Sequence, residues 1–398
     1  MERRKVLAIL GTRPEAVKMC PVIQKLINYS HELETRVAVT GQHRSMLDQI
    51  LEIFSVSPDY DLNIMQEDQS LTDITVRALQ GLEAILQEMR DCKLVMVQGD
   101  TTTAFVGALA AYYNRIPVAH IEAGLRTRNK YNPYPEEINR HFIDVLADLC
   151  FAPTETSKEA LLAESIEAER IFVTGNTVID ALLATVKDNY RFKTSELQKI
   201  NFNDYRHTLL VTVHRRENHG LPLERICAAL KHLMMIRDDL RLILPVHLNP
   251  NVYHVVRATL GGLEHVHLTQ PLDYPDFVNL MGRAYIVLTD SGGVQEEAPS
   301  LGKPVLVMRE TTERPEAVSA GTARLVGTRK EDIISAVNQL LDNTDAYNKM
   351  AHAINPYGDG RAADRIVQLV RHYFQLIADR SAEFVPGKDW QKQPGLAV

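Results

Sequence analysis

The chain reads as an α/β protein of two doubly wound domains, and three observations predict this. Short apolar runs of strand length recur along it, each closed by turn or polar residues and followed by a helical pattern. That alternation is expected of βαβ units building a parallel sheet. The series of units starts afresh past the middle of the chain. Finally, 398 residues, 45% of them hydrophobic, exceed one ordinary core and hold enough apolar material for two.

In the first half the strand candidates are KVLAILG from Lys5, TRVAVTG from Thr35, KLVMVQGD from Lys93, PVAHIEAG from Pro117, LCFAPTE from Leu149 and RIFVTGN from Arg170. The second half repeats the logic with TLLVTVHRREN from Thr208, LRLILPVHLNP from Leu240, HVHLTQP from His265, YIVLTDSGG from Tyr285 and PVLVM from Pro304. Between them Val186 to Tyr205 is polar and poorly patterned, which puts a hinge near Gly175 to Asp180. The expected division is a first domain over 1–178, a second over 179–365, and an amphipathic C-terminal helix and tail over 366–398 that crosses back to the first.

The net charge of -7 is spread with both signs mixed and no basic block, which argues against a nucleic-acid or anionic-lipid partner. Cys20, Cys92, Cys150 and Cys227 are far apart and form no CxxC pair, so neither a disulfide framework nor a zinc site is expected, nor any other metal. The apolar run Val6 to Leu10 is shorter than the ~7 to 15 residues of a signal core. No other run approaches a membrane span, so a cytoplasmic protein is expected.

In open parallel sheets ligands bind outside the carboxyl ends of the strands, where helix N-termini collect. Gly11-Thr-Arg-Pro-Glu-Ala-Val-Lys18 follows the first strand and opens a helix, with Pro14 suited to an early helical position. Arg13 and Lys18 beside free backbone N–H groups suit a diphosphate. Taken alone, the segment fits an ordinary capped turn equally well. It matches neither GxGxxG nor GxxxxGK[ST].

Asp290-Ser-Gly-Gly-Val-Gln-Glu-Glu297 repeats the arrangement in the second half. Ser291, Gly292 and Gly293 let a backbone approach phosphate, and Glu297, one turn on, suits ribose hydroxyls. Asp100 and Glu122 end consecutive strand patterns, and neighbouring strands place two carboxylates where acid and base roles separate. Asp100 before Thr-Thr-Thr also fits a helix cap. Glu136 and Glu137, in Tyr134-Pro-Glu-Glu-Ile-Asn-Arg140, either point at the site or decorate a first helical turn. His214 with Arg215 and Arg216 ends the first strand of the second domain, a combination that favours anion binding or acid–base work; His247 ends the next.

Taken together these segments closely resemble the bacterial non-hydrolysing UDP-N-acetylglucosamine 2-epimerases. The resemblance runs through GTRPEAVKM, GQHRSMLDQ, GDTTTAF, HIEAGLRT, YPEEINR, TGNTVIDAL, HRREN, PVHLNPNV, DSGGVQEEAPSLGKPVLVMRETTERPEA and NPYGDGRA, nearly the whole chain. It implies two Rossmann-like domains facing a cleft, glycosyltransferase-B-like, in a homodimer. It implies that Arg13, His214, Ser291, Gly292, Gly293 and Glu297 bind UDP, with uracil held near Pro271 to Phe277. Asp100, Glu122, Glu136 and His214 match the catalytic positions, and Lys18 matches a cleft lysine. Gln42, Gln69 and His247 match positions of a second, activating site for UDP-N-acetylglucosamine, although Ser45 and Asp68 stand where some regulated members carry Gln and Arg. Gln98 stands where His is common, and Asn132 where Ser is.

The implied reaction is chemically demanding, because the C2 proton of the sugar is not next to a carbonyl. No dinucleotide fingerprint is present, so no cofactor is expected, and the route left is elimination of UDP to 2-acetamidoglucal and re-addition. A hydrolysing epimerase, a glycosyltransferase of the same fold and a non-catalytic UDP-sugar sensor are the competing readings. The carboxylate set Asp100, Glu122 and Glu136 favours the epimerase.

Overall fold

The computed structural model describes residues 3–41, 44–66, 68–204 and 207–387. They form two compact units, one built from the chain up to Ala181 together with Tyr357–Val385, the other from Leu182–Pro356. In the first unit the strands are β1 (Arg4–Leu10), β2 (Leu33–Val39), β3 (Tyr60–Asp61), β4 (Cys92–Gln98), β5 (Val118–Ile121), β6 (Leu149–Ala152) and β7 (Ile171–Val173). They pair in the order β3-β2-β1-β4-β5-β6-β7, every pair parallel. The second unit has β8 (His207–Thr212), β9 (Leu240–Pro245), β10 (Val266–Thr269), β11 (Ile286–Thr289), β12 (Val305–Val307) and β13 (Ala323–Leu325). Their order, β10-β9-β8-β11-β12-β13, is again all parallel. The expected α/β class with two doubly wound sheets is borne out.

Two strands escape a reading by pattern. Tyr60–Asp61 and Ala323–Leu325 lie at sheet edges and have two and three residues. Alternation cannot show in so short a stretch, and an edge strand needs only one partner.

The central strands read as apolar runs because helices cover both faces of each sheet. Leu7, Ile9, Val95 and Val97 are fully buried in the first core; Leu209, Val211, Leu242 and Leu288 are fully buried in the second. The helix Thr102–Tyr113 packs close to β1 and β4 because its inward positions are small. A Cβ on Gly107 would lie 3.1 Å from both Ile9 and Val97, so glycine sets that approach. On the same unit the helix Ala362–Tyr373 packs against the helix Arg13–Ile27. Arg371 grips Glu32 at 2.7 and 3.0 Å. Asp180 accepts the first backbone N–H groups of that helix, from Ala362 at 3.2 Å and Ala363 at 2.9 Å. Burial pushes the Asp180 carboxyl up to about 7 against those two bonds.

All four cysteines are buried and free, and burial pushes the Cys20 thiol up to about 12, so these behave as small apolar side chains. Among the described residues no helix is long and apolar enough to cross a membrane, and no cluster of His, Cys, Asp and Glu could hold a metal ion.

Candidate active site

Strand order reverses between β1 and β4 in the first sheet and between β8 and β11 in the second, and a doubly wound sheet opens its ligand crevice at that reversal. The loops leaving those four strands carry most of the residues singled out above.

In the first unit, Gly11 and Thr12 leave β1 and the helix starts at Arg13 with Pro14 in its first turn. A Cβ on Gly11 would come within 2.3 Å of the Thr103 hydroxyl and 2.4 Å of the Thr40 hydroxyl, so only glycine fits between these loops. The turn does not leave all its N–H groups free, as the sequence suggests. Gly11 donates to Glu15 Oε2 at 3.0 Å, and Thr101 donates its hydroxyl to Glu15 Oε1 at 2.7 Å. Glu15 thus ties the β1 loop to the β4 loop across the reversal, and burial pushes its carboxyl up to about 7. The sequence reading assigned Glu15 no role. Arg13 is partly exposed at the mouth of this loop.

Lys18, one turn further on, meets Glu122: its ammonium lies 2.5 and 2.6 Å from the two carboxylate oxygens. Glu122 follows β5 in a left-handed conformation, φ +71°, a strain of about 1–3 kcal/mol that marks a position shaped for its side chain's aim. Gln98 also donates to this carboxylate, and Asn176 approaches at 3.4 Å. The Gln98 departure noted in the sequence therefore acts directly on Glu122.

Asp100 follows β4 and pairs with Arg140, while Asn139 donates to its backbone carbonyl at 2.9 Å. It is not the helix cap. Thr101 holds that position, accepting from the Ala104 N–H at 3.1 Å. The Asp100 carboxylate is thereby released from the role that competed with chemistry. Glu136 and Glu137 open the helix Glu136–Leu146 but diverge in role. Glu137 is buried, pairs with Arg140 at 3.0 Å and accepts the N–H groups of Thr127 and Arg128. Glu136 is partly exposed, and among the described residues no hydrogen bond occupies it. Arg140, unassigned in the sequence reading, links Asp100 to Glu137.

In the second unit a buried carboxylate again spans the reversal. Asp290, fully buried after β11, accepts the N–H groups of His214 at 2.9 Å and Arg215 at 2.9 Å and the Asn218 amide at 3.0 Å. His214 Nδ1 lies 3.2 Å from Asp290, and its ring stacks on His247 with centroids 5.9 Å apart. Burial lowers the His214 pKa, Asp290 opposes this, and Arg215 and His247 add to the lowering. The neutral imidazole is favoured at neutral pH.

Ser291 precedes the short helix Gly292–Glu297 and donates its N–H to the Thr289 hydroxyl at 2.9 Å. Beside Gly292, a Cβ would lie 3.5 Å from an Arg215 nitrogen and 3.9 Å from the Arg314 guanidinium, so two cations flank bare backbone. Gly293 faces Glu297, where a Cβ would be 3.8 Å from the carboxylate, and Glu297 takes the Tyr274 hydroxyl at 3.2 Å. Tyr274 opens the helix that carries partly buried Phe277. Arg314 was missed, yet a signal for it exists: the pentapeptide RPEAV occurs at Arg13 and again at Arg314.

Of the positions matched to an activating site, Gln42 lies outside the described residues, as does the side chain of Ser45. Gln69 accepts the Gln66 N–H at 3.2 Å ahead of the helix Leu71–Glu88, and His247 is exposed beside His214.

Residues 25–371 match the sequence profile of the family described as UDP-N-acetylglucosamine 2-epimerase. The chain is 51% identical to the UDP-N-acetylglucosamine 2-epimerase of Campylobacter jejuni over 374 residues, 92% of this chain and 97% of that one. It is 52% identical to that of Escherichia coli K12 over 372 residues, covering 92% and 98%. Among solved structures, the Neisseria meningitidis UDP-GlcNAc 2-epimerase bound to UDP-GlcNAc superposes with a TM-score of 0.83 at 47% identity, covering 92% of this chain and all of that one.

Proposed function

We propose that this chain, which belongs to the UDP-N-acetylglucosamine 2-epimerase family and is an isomerase of that class, interconverts UDP-N-acetylglucosamine and UDP-N-acetylmannosamine by eliminating and re-adding UDP. A base takes the C2 proton, the C1–O bond to UDP breaks, and the electron pair forms the C1=C2 bond of 2-acetamidoglucal. Re-addition returns UDP to C1 and a proton to the opposite face of C2. The route needs two proton-transfer groups and a cationic seat for the departing diphosphate.

The observation that carries this reading is the pair of carboxylates on neighbouring strand ends, each held by its own cation: Glu122 by Lys18 and Asp100 by Arg140. Carboxylates on two neighbouring strand ends can serve as separate proton-transfer groups. Glu136 is the third candidate, unbonded at its helix start. In the second unit Arg215, Arg314, neutral His214 and the Ser291-Gly292-Gly293 backbone supply the seat for UDP, Glu297 the ribose contact and Phe277 the wall for uracil; in the first unit Arg13 is the candidate for a diphosphate contact. His214 can also hand a proton to the leaving phosphate.

The reading extends to an activating UDP-N-acetylglucosamine bound by Gln42, Gln69 and His247, and to a homodimer acting in the cytoplasm. Exposed Tyr112, Tyr113, Phe142 and Val145, with the Phe105–Phe142 ring pair at 5.4 Å, support a second copy on that helical face.

Proton NMR of the protein with UDP-N-acetylglucosamine in heavy water tests the reaction. UDP-N-acetylmannosamine carrying deuterium at C2 is expected. Free N-acetylmannosamine with UDP would instead place the chain with hydrolysing epimerases, and bound but unchanged substrate would remove the catalytic reading.

A further inference from the structure

Behind the two strand-end carboxylates lies a buried ionic cluster that the chemistry above does not use. His120, on β5 two residues before Glu122, is fully buried. Its Nε2 is 2.8 Å from the Gly99 carbonyl oxygen and its Nδ1 is 2.6 Å from Asp144 Oδ1. A carbonyl only accepts, so Nε2 carries a proton. Burial opposes ionisation of Asp144, but His120 and Arg126 outweigh it and hold its carboxyl below the usual range. Asp144 Oδ1 lies against Nδ1 and holds the ring from its other side.

The Gly99 carbonyl belongs to the peptide that carries Asp100. Gly99 sits at φ +72°, a turn other residues adopt at a cost, and Asn139 holds the next carbonyl, that of Asp100 itself. Both peptides flanking the Asp100 Cα are thus bound by side chains. The second oxygen of Asp144 takes Arg126 at 2.7 Å and the Gly124 N–H at 3.3 Å, anchoring the loop that leaves Glu122. One buried acid consequently fixes the frame of both carboxylates.

We propose that His120 is a positioning residue: its Nε2–H holds the Gly99–Asp100 peptide, and with it the Asp100 carboxylate, in place for proton transfer, while Asp144 holds the ring. The inference rests on Asp100 taking part in the reaction. A cluster that only stabilises the fold would affect turnover and stability together, and two substitutions separate the cases. An asparagine amide falls near the Nδ1 position and a glutamine amide near Nε2. His120→Asn keeps a partner for Asp144 and frees the Gly99 carbonyl; His120→Gln does the reverse.

The measurement is kcat, KM and melting temperature for both variants, with UDP affinity by calorimetry and with Asp100→Asn and Asn139→Ala alongside. His120→Asn is expected to melt near wild type yet lose about tenfold or more in kcat, since displacement of about 1 Å at a reacting group can cost on the order of a hundredfold. His120→Gln is expected to melt earlier but keep kcat within about threefold of wild type. Asn139→Ala, which frees the Asp100 carbonyl, should lower kcat with UDP affinity unchanged, and it decides the matter if His120→Asn does not fold. Losses of kcat that track melting temperature in both His120 variants, or full kcat in His120→Asn or Asn139→Ala, overturn the positioning role. Full turnover in Asp100→Asn overturns the reading of Asp100 itself, and with it the positioning.

Discussion

Lys18 and Glu122 offer the sharpest energetic test, because their opposite charges meet where both side chains are largely buried. The Lys18 side chain is 18% exposed and that of Glu122 5%, with the ammonium against both oxygens at 2.5 and 2.6 Å. Removing the cation in Lys18→Met takes from a buried carboxylate the ammonium against both its oxygens, and breaking such a pair costs about 3–5 kcal/mol. Removing the anion in Glu122→Gln costs less, about 1–2 kcal/mol, because Lys18 reaches water. In the double variant both charges of the pair are gone, so the two losses should not add, and a coupling of at least about 2 kcal/mol is expected. Urea unfolding of the four proteins at pH 7.5 measures it. Additivity within about 0.5 kcal/mol would refute the pair as an energetic unit.

Other expectations follow from single groups. Glu15 is raised from 4.5 to about 7 in the folded protein; the folded state then binds the extra proton between those values, so this group's stabilisation is complete below 4.5 and lost as pH rises through 7. Glu15→Gln should flatten the fall in melting temperature over that window, and a fall of unchanged size would show that Glu15 is not its source. Gly11→Ala forces a methyl against Thr103 and Thr40 and should destabilise by about 1–3 kcal/mol in urea unfolding. Arg314→Met removes one of two cations beside Gly292 and should weaken UDP binding at least about tenfold by calorimetry, with a shallower salt dependence; an affinity equal to wild type would take Arg314 out of the phosphate seat.

Much of the site was legible because its residues sit at strand ends in segments of fixed meaning. Gly11, Gly292 and Gly293 are read from the strand–turn–helix pattern, and His214 and Glu122 from their places after apolar runs. What remained open was always a matter of partners. Asp100 could have capped a helix until Thr101 was seen doing so. Glu136 and Glu137 are indistinguishable in the sequence, and only packing shows that Glu137 is spent on Arg140 and two backbone N–H groups.

The sequence by itself determined the doubly wound class, most strands and the loops that bear the chemistry, since apolar periodicity and turn residues are local properties written along the chain. Tertiary structure alone decided the edge strands β3 and β13, the ties that Glu15 and Asp290 make across each reversal, and the joining of His120 to Asp144 and Gly99. These depend on contacts between residues 20 to 90 positions apart or on a partner strand's register. The charge on a buried side chain has no local signature, because it is set by whichever donors and acceptors the fold brings to it.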